Sequence, residues 1–264
     1  MCTDILEEIV ANKRRELEIQ KQIVSESAIH AQVEKMMDMG TKVHSMRNSL
    51  AQDSYGIIAE FKRKSPSRGW IHEDIRPQDV VPVYSKNGAA ALSILTDEKY
   101  FGGDADYVSM VRPLVETPIL RKEFIIDEYQ VFQAKAIGAD AILLIAADLT
   151  IQACRTLTSL AHELELEVLL EIHSEKELTY TEIDADMIGV NNRNLGTFIT
   201  NVENSFKISS QLPTDRLWVS ESGIGKPETV RMLREMGYRG FLIGETFMKD
   251  GNPGKALKEF IAHI

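Results

Sequence analysis

A chain of 264 residues, 44% hydrophobic and 27% charged, can bury a sizeable core and is not composed like a disordered segment. Its formal charge of −10 argues against nucleic acid as a partner, because neutralising phosphates takes a basic face, and it means that an anionic ligand needs a local cluster of Lys and Arg. The longest apolar runs, such as 141–147, are too short to cross a bilayer, and the N-terminus has neither a basic start nor an apolar signal core, so a cytoplasmic protein with no membrane partner is expected.

Residues 1–50 hold no proline, one glycine (Gly40) and many helix formers. Leu6, Ile9, Val10 and Leu17 fall near helical spacing, with Lys13, Arg14, Arg15 and Glu16 between them. One or two helices are expected here, packed as an amphipathic extension on the main fold. The apolar stripe is narrow and does not persist as heptads, so a monomer is favoured and a dimerisation helix is the alternative.

A different rhythm begins near Tyr55. Strand-like runs at 56–61, 90–95, 118–121, 141–145, 167–170, 187–190, 217–220 and 240–243 alternate with helical patterns near 78–87, 105–112, 128–137, 150–164, 175–181, 202–210, 227–236 and 254–262. Pro77 and Pro227 suit first helical turns, and Gly88, Gly138 and Gly237 suit helix ends that feed the next strand. Alternation of this kind implies a parallel sheet, and eight repeats point to a closed α/β barrel, a (β/α)8 TIM barrel over 51–264 with 1–50 as its N-terminal helical extension, in one domain overall. An open doubly wound sheet is disfavoured: no Gly-x-Gly-x-x-Gly follows the first strand, and polar residues sit at the ends of many strands rather than at one crevice. The pattern closes on the eighth helix, with no fused partner enzyme expected.

Barrel strands are buried on both faces, so charges in or just after them are costly unless paired or functional. In the first strand Glu60 and Lys62 are two residues apart and point to the same side, ahead of a basic loop from Arg63 through Ser65 to Gly69. The third strand ends at Lys122, the fifth at Glu171, the sixth at Asn191-Asn192-Arg193 and the seventh at Glu221-Ser222-Gly223. Any one of these fits a structural ion pair; five strand ends donating polar groups to one rim do not fit packing alone. That rim is the active-site face of such barrels. Gly223 after the seventh strand and Gly244-Glu245 after the eighth let backbone N–H groups approach an anion, and a short helix after the eighth strand aims its positive end at the same place.

Cys2 and Cys154 are read as free thiols in a reducing compartment, and the six histidines are scattered singly. No metal-ligand spacing is present, so neither a metal nor a cofactor is expected.

The segments IIAEFKRKSPSRG, LSILTDEKYFGG, PILRKEFIIDEYQ, GADAILLIAA, EVLLEIH, IGVNNRNLGTF, SESGI and FLIGETFM, in this order, resemble the strands and following loops of indole-3-glycerol-phosphate synthases, and ILEEIVANKRRELE resembles that family's extension before the barrel. The likeness covers essentially the whole chain. It implies a lyase of tryptophan biosynthesis that needs no cofactor. Such an enzyme closes the indole ring of 1-(2-carboxyphenylamino)-1-deoxyribulose 5-phosphate, a small anionic sugar phosphate, and releases carbon dioxide and water. By resemblance Lys122 matches the general acid and Glu171 the general base; Glu60, Lys62, Asn191 and Glu221 support the chemistry or position substrate. Arg193 and Ser65 match anion-contacting positions, and Ser222, Gly223, Gly244 and Glu245 line the phosphate cradle. Glu245 stands where some members have Ser. A carboxylate beside a phosphate is unfavourable, so Glu245 is expected to offer its backbone N–H and turn its side chain away.

The chemistry agrees with the residues. A lysine ammonium can stabilise a developing oxyanion and protonate it, and a carboxylate can take the anilino proton later; whether Lys62 or Lys122 is the acid for dehydration stays open. One rival is another phosphate-binding barrel such as phosphoribosylanthranilate isomerase, against which the first-strand segment and the long extension argue. A second is a non-catalytic sensor of phosphate ligands, which would not require both Lys122 and Glu171.

Overall fold

A computed structural model of the chain describes residues 5–194 and 199–264. Cys2 and the LGTF part of the sixth-strand motif, 195–198, lie outside the described residues.

Eight parallel strands close into a barrel: β1 Ile57–Phe61, β2 Ala91–Leu95, β3 Ile119–Lys122, β4 Ala141–Ile145, β5 Glu167–Ile172, β6 Met187–Asn191, β7 Leu217–Glu221 and β8 Gly240–Ile243, with β8 pairing back onto β1. Nearly every strand residue is buried, as the two-faced burial of a barrel wall demands. Three helices precede the barrel: α1 Ile5–Ile23, α2 Glu26–Asp38 and α3 Met46–Gln52. The helices that follow are α4 Pro77–Lys86, α5 Glu98–Phe101, α6 Asp106–Val111, α7 Glu128–Ala136, α8 Ile151–Glu163, α9 Glu203–Ser209, α10 Pro227–Glu235, α11 Glu245–Met248 and α12 Pro253–Ala262. The segment Glu175–Glu182, expected to be helical, is a 3-10 helix.

Pro77, Pro227 and Pro253 each open a helix, where a missing N–H costs nothing. Gly88, Gly138 and Gly237 follow helix ends with φ of 98°, 87° and 110°, a left-handed turn that side-chain-bearing residues rarely adopt.

The two mouths of the barrel are built differently. At the N-terminal mouth α3 drives Met46 and Leu50, both 0% exposed, against the strand ends. Burying one such side chain stabilises the fold by about 1.5–3 kcal/mol. Ser49 Oγ donates to the Ala90 carbonyl at 2.6 Å, and Asp140 accepts from Arg112, His44 N and Ile119 N at 2.6–2.8 Å. The opposite mouth is open.

The N-terminal extension holds three helices rather than one or two. Its first helix lies along the rim: Leu6 and Ile9 join the cluster of Tyr100, Phe124 and Ile145, and Leu17 packs with Ile29 and Tyr129. Lys13, one of the charges between the apolar positions of the first helix, is 4% exposed and makes ion pairs with Glu16, Asp97 and Glu123 at 2.7, 3.1 and 3.1 Å. Apolar periodicity does not reveal a lysine buried by carboxylates of distant segments.

Candidate active site

Strand register sets the rim. Leu95 pairs with Lys122, Ile145 with Glu171 and Asn191 with Glu221, so the polar strand ends arrive at one level. They surround an open cavity of about 520 Å3. Eleven of the twelve residues singled out from the sequence line it: Lys122, Glu171, Glu60, Lys62, Asn191 and Glu221 on the strand ends, and Arg193, Ser222, Gly223, Gly244 and Glu245 around the mouth.

Ser65 is the exception. It is 8% exposed and does not line the cavity. The loop after β1 folds into a small antiparallel ribbon, Lys64–Ser65 against Gly69–Trp70, which carries Ser67 and Arg68 at its turn, and these two line the cavity instead. Arg63 and Lys64 pack their charges over the Trp70 ring, 5.2 and 5.4 Å from its centre. A period-two reading of the strand cannot foresee that reversal.

On the cavity floor the charges alternate. Lys122 Nζ donates to Glu171 Oε2 at 2.9 Å and lies 3.3 Å from Glu221 Oε2; Lys62 Nζ donates to Glu60 Oε1 at 2.6 Å, as their shared strand face requires. Burial alone lowers the pKa of Lys122, but the charges of Glu171, Glu221 and Glu60 more than reverse this and keep it an ammonium. Burial pushes Glu171 up, and Lys122 and His173 bring it well below the usual carboxylate range. Glu221 ends on the other side. Burial, only partly offset by Lys122 and reinforced by the charge of Glu171, raises it to about 8. Neither of its oxygens has a hydrogen-bond partner among the described residues. The floor thus sets a carboxylate pushed down, a carboxylate pushed up and an ammonium side by side, the separation of pKa values expected where acid and base roles are divided.

Two glycines make room for this arrangement. A Cβ on Gly189 would fall 2.2 Å from Glu221 Oε1, and one on Gly244 would fall 2.3 Å from Glu60 Oε1. Around the mouth, Ser222 and Gly223 both have left-handed backbone, φ 67° and 75°. A non-glycine residue in that region is strained, and such strain clusters at ligand sites.

Glu245 corrects an expectation. Its side chain does not turn away: it lines the cavity, with Oε1 2.9 Å from Arg68 Nη2 and Oε2 4.0 Å from Arg193 Nη2. Two guanidinium groups neutralise it, which removes the reason for it to leave. Arg193 Nη1 also donates to Ser67 Oγ at 3.1 Å, tying the loop after β6 to the ribbon after β1.

The sequence reading missed the apolar side of the cavity. Leu95, Phe101, Phe124 and Ile145 form a wall opposite the glycine turns. In the sequence they are indistinguishable from core residues of strands and rim helices.

Residues 6–260 match the family model described as indole-3-glycerol phosphate synthase. The chain belongs to the indole-3-glycerol phosphate synthase family. The synthase of Bacteroides thetaiotaomicron is 56% identical over 264 residues, 99% of each chain, and that of Chromobacterium violaceum is 42% identical over 256 residues, 97% of each. Among solved structures, thiamine phosphate pyrophosphorylase from Pyrococcus furiosus superposes with a TM-score of 0.60 at 18% identity, over 83% of this chain and 96% of that one. That likeness concerns the barrel alone. The family match favours the synthase over the isomerase rival. Among the described residues no helix is long and apolar enough to cross a membrane.

Proposed function

We propose that the protein closes the indole ring of 1-(2-carboxyphenylamino)-1-deoxyribulose 5-phosphate with loss of carbon dioxide and water, using Lys122 as general acid and Glu171 as general base. The observation that carries this assignment is the 2.9 Å contact of a largely buried ammonium with a carboxylate on the floor of a cavity with a cationic, glycine-bearing mouth and an aromatic wall.

The substrate fits in one direction. Its phosphate suits the turns at Ser222-Gly223 and Gly244-Glu245, with Arg68 and Arg193 beside them, and its aminobenzoate ring suits Phe101, Phe124 and Ile145. The ketone then lies between, above Lys122. The ring carbon that bears the carboxylate attacks the ketone carbon. Lys122 steadies the developing alkoxide and protonates it. An alkoxide is a far stronger base than an amine, so even a lysine held in its charged form gives up its proton there. The bond to the carboxylate breaks, carbon dioxide departs, and its electron pair returns to the ring. The hydroxyl leaves with a second proton as water, and Glu171 takes the proton whose loss completes the pyrrole ring. Two protons are given and one is taken, so one is drawn from solvent per turnover, matching the conversion of a benzoate anion into neutral carbon dioxide. Glu60 orients Lys62, and protonated Glu221 is placed to donate a hydrogen bond to a substrate oxygen.

Mixing the purified protein with this substrate is expected to produce indole fluorescence, undiminished after dialysis against a chelator. No fluorescence, or turnover of phosphoribosylanthranilate instead, contradicts the assignment.

A further inference from the structure

Glu171 is held from two sides. Oε2 faces Lys122, and Oε1 lies 3.1 Å from His173 Nε2. His173 follows β5 and does not line the cavity where the substrate binds. Its other ring nitrogen, Nδ1, is 3.7 Å from Glu177 Oε2, and its backbone N–H donates to that same carboxylate. Asn204 on α9 fixes the backbone from behind by donating to the His173 carbonyl at 3.0 Å. Neither ring nitrogen makes a hydrogen bond among the described residues; the imidazole faces the two carboxylates at ion-pair distance, on a clamped stretch of chain.

The acid and the base share an ion pair, and this creates a difficulty for the reaction. Lys122 must lose its proton early. At that moment its charge no longer holds Glu171 ionised, and burial alone drives a carboxylate toward its protonated form. A base that protonates itself cannot take the later proton. A second cation that does not take part in the proton transfer solves this.

We propose that His173 is that cation: a positioning residue, backed by Glu177, that keeps Glu171 ionised and aimed at the substrate after Lys122 has given up its proton. This rests on the reading of Glu171 as the base. The charged groups around the ring support an imidazolium. On the cavity side these are Glu171, Lys122 and Glu221. On the outer side His173 and Glu177 line a second cavity of about 720 Å3, whose other charged groups are Glu7 and Arg14 of α1 and Asp148 of the loop after β4. Carboxylates outnumber cations here. Burial pulls the imidazole down, but Glu171 and Glu177 raise it to about 10, so it is charged throughout the neutral range.

The test is the pH dependence of kcat in His173→Gln and Glu177→Gln, with Glu171→Gln as reference and thermal melts to establish folding. Without the imidazolium the pKa of Glu171 rises, so activity is lost at a higher pH on the acid side. His173→Gln is expected to lower kcat roughly 10–100-fold, by analogy with the loss of groups that orient a reacting ligand. KM should stay within about threefold, and the acid limb should move up by roughly 1–3 units. Glu177→Gln should move it the same way by less. An acid limb at the wild-type position in a folded His173→Gln protein overturns the inference, even where kcat has fallen, because packing defects do not titrate. Should that variant not fold, Glu177→Gln and the histidine ring NMR of the wild type decide: a His173 ring charged at pH 8 supports the inference and a neutral one overturns it. Glu171→Gln separates the two levels. Retained turnover there defeats the reading of Glu171 as base, and with it this inference; an inactive Glu171→Gln beside an unshifted His173→Gln defeats this inference alone.

Discussion

Two buried ionic clusters lie side by side on the open rim, and they differ in a way that composition hides. One joins Lys122 to Glu171 and Glu221; the other joins Lys13 to Glu16, Asp97 and Glu123. Both centre on a lysine whose surrounding carboxylates outweigh its burial and hold it charged. The Lys13 cluster is turned away from the cavity, although Asp97 Oδ2, 3.1 Å from Lys13 Nζ, also lacks a hydrogen bond among the described residues. Thr96 donates to Glu123 at 2.7 Å, Tyr100 N donates to Asp97 at 2.8 Å, and only Glu123 reaches the edge of the cavity. It ties α1 to the ends of β2 and β3. The Lys122 cluster is open: Glu221 has no hydrogen-bond partner among the described residues, and all three side chains line the cavity. Burial of charge is therefore not itself a mark of chemistry. Both clusters hold a buried carboxylate oxygen without a hydrogen bond; what distinguishes the second is that its own, on Glu221, faces a space that a ligand can fill.

The comparison is broken most severely at Lys122. Lys122→Met should cost roughly 10²–10⁴ in kcat while substrate affinity stays within roughly tenfold, since its interaction strengthens at the transition state. Steady-state kinetics check this, and weakened binding with near-normal turnover would make Lys62 the better acid. Next comes Lys13→Met, which leaves Asp97 without its cation and Glu123 with only the more distant Arg121, 3.8 Å away. Denaturant unfolding should show a loss of about 3–5 kcal/mol, the usual result of removing one partner from a buried pair, with kcat changed far less than in the Lys122 variant.

Glu221 sharpens the contrast through pH. Its folded pKa of about 8 is raised above the ordinary 4.5, so its contribution to stability is full below 4.5 and is lost as pH climbs to about 8. Glu221→Gln keeps the neutral form, so its unfolding free energy should decline less between those pH values than that of the wild type. An unchanged pH slope would mean that Glu221 is ionised in the folded protein. The smallest effect is expected from Arg193→Ala, outside both clusters. It should raise KM by about tenfold and lower kcat less, as loss of uniform substrate binding does. A fall confined to kcat would move Arg193 into the chemistry.

The barrel was legible because its strands are short, apolar on both faces and separated by helices with proline starts and glycine ends. The expected strands match β1–β8 to within two residues at each boundary. The polar floor was legible for the same reason: Lys122, Glu171 and Glu221 close strands of one barrel, and although each alone fits a structural ion pair, their convergence on one rim does not fit packing. What escaped lies where position in a strand carries no information. Ser67 and Arg68 line the cavity where Ser65 was expected to, because a ribbon reverses the loop. Glu245 stayed at the cavity because Arg68, from a distant segment, neutralises it. Phe101 and Phe124 look like core. His173 stands two residues beyond Glu171, in phase with it, and that spacing was a signal for the role proposed above.

The most direct test of the division between the clusters is to carry Lys122→Met and Lys13→Met through the same two measurements, indole-forming turnover and unfolding free energy. The account predicts a crossed result. Lys122→Met should lose turnover and keep most of its stability, because Glu171 retains His173 and burial already favours the protonated form of Glu221, whereas Lys13→Met should lose stability and keep most of its turnover. Parallel losses in both variants, or turnover that survives in Lys122→Met, would contradict it.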